Sequence, residues 1–308
     1  KSSTALTSLA FIGIISAASI ATDADAACTS VSVPAGTSFT SAFECTGAMT
    51  TVQSFNGSGL LVTLPDGPNT ITASSSTAVM SLRGSSSGLI LGNGTRIEMS
   101  GTGGGNAVRL AGAPNASVTV KSGALILTGS TNTNSDALSL GAAGGVNSTS
   151  VQITVENGGT IRANQGEAIG TSLNAIGASV TNSGLIETTG TDSFSAIRLN
   201  NGSVVNEASG IIRNTSDRRA TIRLEDSGTL LNKGLIQNSG QDYAVNGGVG
   251  ARTNIEHVIN AGTITTAGPT AIFLGSENDT MEIHADSVIT GLVDGGTGTD
   301  IFRFGGSG

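Results

Sequence analysis

Only a few residues in this 308-residue chain have types and spacings suited to chemistry. The segment Gly295-Gly296-Thr297-Gly298-Thr299-Asp300-Ile301-Phe302-Arg303 fits the nonapeptide of calcium-binding β-rolls, in which turn carbonyls and Asp carboxylates ligate Ca²⁺. Calcium is a hard ion that takes six to eight oxygens. A roll shares each ion between successive turns, so one clean copy supplies half a site, centred on Asp300. His257 and His284 stand 27 residues apart with no third ligand in step, and read as surface histidines. The densest charged group is Asp217, Arg218, Arg219, Glu225 and Asp226. Arg198 and Arg223 hold the same place in successive repeats and should align on one face. Converging carboxylates and cations of this kind serve a polysaccharide lyase or hydrolase, usually beside aromatic sugar platforms. With no Trp and one Tyr, the sequence reads instead as a solvated face. Ser227-Gly228 and Ser239-Gly240 lack the flanks of a Gly-x-Ser-x-Gly nucleophile. No P-loop, H-E-x-x-H or C-x-x-C occurs.

The N-terminus sets the compartment. Residues 1–26 read as a secretory signal: Lys1, the apolar run Leu9 to Ala21, then Ala24-Asp25-Ala26 as the cleavage site. The run is too short to span a bilayer. Cys28 follows, but Asp25 stands where a lipidation signal has Leu. The only other cysteine is Cys45, 17 residues on. Two cysteines in an oxidising space predict one disulfide, worth about 3 kcal/mol for a loop of that size. It would staple a cap region over 27–75, where the repeat is weakest.

What must position these groups is a repeat. Val180-Thr181-Asn182-Ser183-Gly184-Leu185-Ile186 returns around Asn206, Asn232 and Asn260, with an earlier copy at Asn157. The spacings are 25, 24, 26 and 28 residues. A second phrase, Ala-apolar-x-Leu, keeps step at Ala107, Ala137, Ala196 and Ala271, with a variant at Thr221. Short alternating strands cannot bury a face alone, but coils stacked ~4.8 Å apart share one core. The five Asn residues are predicted to stack as a hydrogen-bonded ladder, with Gly and Asn supplying left-handed turns. The expected architecture is all-β, a right-handed parallel β-helix of ~25-residue coils over 27–308.

The composition agrees. Gly supplies 45 residues, aromatics 3% and charged residues 12%. A net charge of -8 gives no footprint for nucleic acid.

The signal, the Asn-x-Gly-x-Ile repeat and the Ala-Ile-x-Leu phrase resemble the passenger region of bacterial autotransporters (type V secretion). Leu274–Met281 and Gly295–Phe302 resemble spacers in such passengers. The resemblance implies export across the inner membrane of a Gram-negative cell, to the outer membrane surface or beyond. It also implies a β-barrel translocator downstream, which these 308 residues do not include, so the chain reads as a passenger fragment. The function expected is adhesion or display without catalysis, toward a receptor or glycan on another surface. No resident cofactor is expected, Ca²⁺ at Asp300 being the one candidate. The alternatives are a carbohydrate-active β-helix enzyme and a calcium-dependent β-roll.

Overall fold

The computed structural model describes residues 26–172, 175–190, 193–247 and 257–305. The predicted signal peptide falls almost wholly on residues 1–25, outside the described residues. Every regular element among those described is a strand. Each coil runs through three short strands, as in Ser179–Asn182, Leu185–Thr188 and Ile197–Asn200. The next coil repeats them at Ser203–Asn206, Ile211–Asn214 and Ile222–Glu225.

Stacking is parallel. The first strands form a 12-stranded sheet. Second and third strands form two further ladders, joined where the 11-residue strand Thr263–Phe273 pairs with both Leu235–Asn238 and Val245–Asn246. The chain is therefore a parallel β-solenoid, as the repeat predicts. The β-branched residue of each copy carries the register. Ile71, Ile97, Ile126, Ile161, Ile186, Ile212, Ile236, Ile264 and Ile289 stand directly over one another in a continuous stack. The first eight are fully buried. Neighbours in register share apolar surface that one coil alone would leave wet.

At its N-terminal end the first sheet opens with an antiparallel pair, Ala27–Val31 against Ser41–Thr46. Cys28 lies opposite Cys45 in that pair and is joined to it. Parallel stacking begins with Ser41–Thr46 on Leu60–Leu64, already inside the stretch predicted as a cap.

The turns divide: Gly94, Gly123 and Gly158, with Asn115 and Asn201, take the left-handed backbone predicted. Gly184, Gly210, Gly234 and Gly262 do not adopt left-handed backbone. Instead, a Cβ on Gly234 would lie 2.3 Å from the Gly210 carbonyl oxygen, and one on Gly262 2.3 Å from that of Gly234. Glycine is required there because backbone meets backbone between coils.

Candidate functional site

The first polar feature is inside the core. At one inward position of the first sheet the residues read Leu64, Leu91, Val120, Val155, Asn182, Asn206, Asn232, Asn260 and Ile283. For four coils an amide replaces an aliphatic side chain. Each amide Nδ2 donates to the next Oδ1: Asn182 to Asn206 at 2.9 Å, Asn206 to Asn232 at 2.9 Å, Asn232 to Asn260 at 2.8 Å. All four are fully buried. Asn157 does not join them. It sits exposed in the turn, two residues past the ladder position, which Val155 fills. A turn of the same length follows Asn206, closed by Gly210 N donating to Glu207 O as Gly159 N donates to Glu156 O, so Asn157 matches Ala208 and not Asn206.

A second set of amides was not foreseen. Asn214 and Asn238 end successive second strands in register and are buried. Asn214 Nδ2 donates to Phe194 O and Arg219 O, at 3.2 and 3.0 Å. Asn238 Nδ2 donates to Tyr243 O at 2.9 Å. They hold the loops that lead into the third strands. The matching runs Ile212-Arg213-Asn214-Thr215 and Ile236-Gln237-Asn238-Ser239 were the sequence signal available for this.

Those loops border the main charged face. Along the outer side of the third strands the register places Ser139, Gly170, Arg198, Arg223, Asn246 and Phe273 in one row. Arg198 and Arg223 are adjacent, as their shared place in the repeat predicts. Each has a carboxyl group beside it. Arg198 Nε and Nη2 clasp Glu167 at 2.5 and 3.0 Å. Arg223 meets Glu225 at 2.6 Å. Asp217, Arg218 and Arg219 stand apart from this row, exposed on the neighbouring loop.

Asp136 and Glu167 were missed. Both precede the Ala of the second phrase in successive copies, and Glu167 N donates to Asp136 Oδ1 at 3.1 Å. A Cβ on Gly170 would lie 2.3 Å from Glu167 Oε2 and 2.8 Å from Asp136 Oδ2. The two oxygens are therefore within about 5 Å of each other, close enough for like charges to couple. Burial, and then the charge of Asp136, push Glu167 up to about 8 despite Arg198. Burial also pushes Asp136 up to about 6, against hydrogen bonds from Glu167 N and Ser139. The pair titrates as a unit and retains a proton near neutrality. A parallel ion ladder lies on the second strands, where buried Glu187 binds Arg162 with one oxygen and Arg213 with the other.

Asp300, the predicted calcium residue, closes a turn onto the neighbouring coil. Asp300 Oδ1 accepts the Asp279 amide at 3.1 Å, and Oδ2 lies against Gly295. Asn278 Oδ1 likewise accepts Thr299 N, and Asp294 Oδ1 accepts Gly296 N. Among the described residues no group of three His, Cys, Asp or Glu is gathered for a metal. His257 pairs in register with Thr280, not with His284. Its Nε2 lies 3.6 Å from Glu282, whose carboxyl the hydrogen bond from Arg303 holds below its ordinary value.

The fold and faces define a parallel β-solenoid carrying a buried amide ladder and an ionic outer row. No family model, curated protein or solved structure matches the chain.

Proposed function

We propose that the chain is an exported, non-catalytic display rod, the passenger of an autotransporter-like protein anchored by a downstream outer-membrane barrel. The observation that carries this reading is the continuity of the solenoid. One isoleucine stack runs from Ile71 to Ile289, so the described chain is built as a rod whose outer loops vary while that stack persists. Such a rod presents surface at a distance, which suits adhesion to a receptor or glycan.

The acidic groups support the same reading. Glu167 Oε2 and Asp136 Oδ2 lie within about 5 Å of each other, which invites comparison with the paired carboxyls of a retaining glycosidase. Yet Glu167 is 3% exposed and both its oxygens face Arg198. Reaching a glycosidic oxygen would break that fork. The enzyme alternative predicts turnover of polyuronates that is lost on changing Asp217 or Arg223.

The test is deletion of residues 27–308 in the natural gene, followed by surface proteolysis and adhesion assays. Adhesion lost with the deletion, and an intact rod cleaved by external protease, support display. Adhesion unchanged by the deletion sinks it.

A further inference from the structure

The loop face beside the ionic row holds a hollow of about 550 Å³ lined by Thr133, Ser193, Phe194, Arg218 and Arg219. Sites for small ligands usually measure about 300–1,000 Å³ and join an apolar wall to a few fixed polar groups. We propose that this hollow binds an acidic saccharide, a pyranose chain bearing carboxylate or sulfate groups. The proposal names the ligand class for the display reading and rests on that reading only for access from outside the cell.

Three observations carry it. First, aromatics are only 3% of this chain, yet the lining of this hollow holds one, Phe194. Second, the Arg219 guanidinium lies over the Phe194 ring, 5.3 Å from its centroid. A stacked guanidinium keeps its N–H fork in a fixed plane, the geometry that reads a carboxylate or sulfate. Third, the site is built from beneath. Fully buried Asn214 hydrogen-bonds both the Phe194 and the Arg219 carbonyl, and Asn238 also reaches Arg219 O at 3.2 Å. The backbone that carries ring and cation is therefore held by one buried amide, which lowers the ordering cost of binding.

Two carboxyl groups lie nearby, and the Arg219 charge acts on one of them, Asp242. Asp217 Oδ1 accepts Gln241 N at 3.0 Å, and Asp242 Oδ1 accepts Tyr243 N at 2.7 Å. Because the whole chain carries -8, long-range steering of a polyanion is unfavourable. Binding then depends on short-range contacts at this hollow.

The experiment is calorimetric titration of the folded chain with oligogalacturonate, a sulfated chondroitin oligosaccharide and neutral maltotetraose. The variants are Phe194→Ala, Arg219→Gln and, as a charge control at a distant coil, Arg303→Gln. Binding of an acidic oligosaccharide is expected, weakened at least tenfold by Phe194→Ala and by Arg219→Gln and unchanged by Arg303→Gln. The oligogalacturonate and chondroitin arms separate carboxylate from sulfate. Should Phe194→Ala fail to fold by circular dichroism, Arg219→Gln decides alone. No binding at roughly 10 mM, equal binding of maltotetraose, or acidic binding indifferent to Arg219→Gln overturns the proposal. A rod that is displayed and adhesive but binds no acidic saccharide defeats this inference and leaves the display reading standing.

Discussion

Gly170 shows how one residue sets the chemistry of a face. Its neighbours in the row carry side chains, but here two carboxylates occupy the volume a Cβ would take. Gly170→Ala should therefore expel Glu167 or Asp136 from its position, costing about 1–3 kcal/mol by overpacking. Thermal melts of the variant measure this. The same pair predicts a pH dependence. Free Asp and Glu titrate near 3.8 and 4.5, whereas Asp136 and Glu167 are pushed up to about 6 and about 8. The folded chain thus holds protons more tightly than the unfolded one across that interval. The resulting stability is fully present below pH ~4 and is lost as pH rises through 6 to 8. Unfolding free energy should fall by on the order of 2–5 kcal/mol from pH 4 to 8.5. Glu167→Gln, a permanent mimic of the neutral acid, should flatten most of that fall. A wild-type profile flat over this range would refute the shared proton. The sequence displayed the Arg198–Arg223 alignment but hid this dyad. Gly170 and Thr171 stand where the phrase calls for any residue and Leu, so the copy at Ala168 does not read as a copy.

The strands of the first sheet make a different case, because one inward position changes from aliphatic to amide and back. Burying an amide costs free energy unless its hydrogen bonds are made. In the ladder each Asn satisfies the next, so the unit of stability is the run and not the residue. Asn206→Ala should cost about 2–4 kcal/mol, because it also strands an Asn182 donor and an Asn232 acceptor. Replacing Asn182, Asn206, Asn232 and Asn260 together by Val or Leu should cost much less than four times that. Val155 and Ile283 already fill the same position at either end. Denaturant titration of the single and fourfold variants decides it: a fourfold loss near the additive sum would mean the amides act singly. The ladder was readable from the four evenly phased Asn residues. The error at Asn157 came from counting a turn asparagine into the ladder, since spacing alone does not say where the strand ends. The Asn214 and Asn238 pair was readable in principle, but the variable loops beyond it obscured the repeat.

Along the whole rod, each coil touches only its neighbours, so stability should be distributed and not pooled. The isoleucine stack gives that statement a gradient. Ile161 is fully buried with a coil on each side. Ile289 is only partly buried, on the strand Val288–Asp294, where Leu292 is 65% exposed. In the following strand, Phe304 is 77% exposed. Ile161→Ala should therefore cost about 3 kcal/mol by opening a cavity that two coils share, and Ile289→Ala less than about 1 kcal/mol. Amide exchange should follow the same order. Protection is expected to be highest in the coils between Gln152 and Asn238 and to decline toward Val288–Asp294 and Ile301–Phe304. Because neighbours couple only through shared faces, Ile161→Ala should also let the coils on one side open without those on the other, broadening the melt. Uniform protection along the chain, or equal costs at Ile161 and Ile289, would mean that the core acts as one body. The stacked-coil account of stability would then have to be abandoned, even with the strand register unchanged.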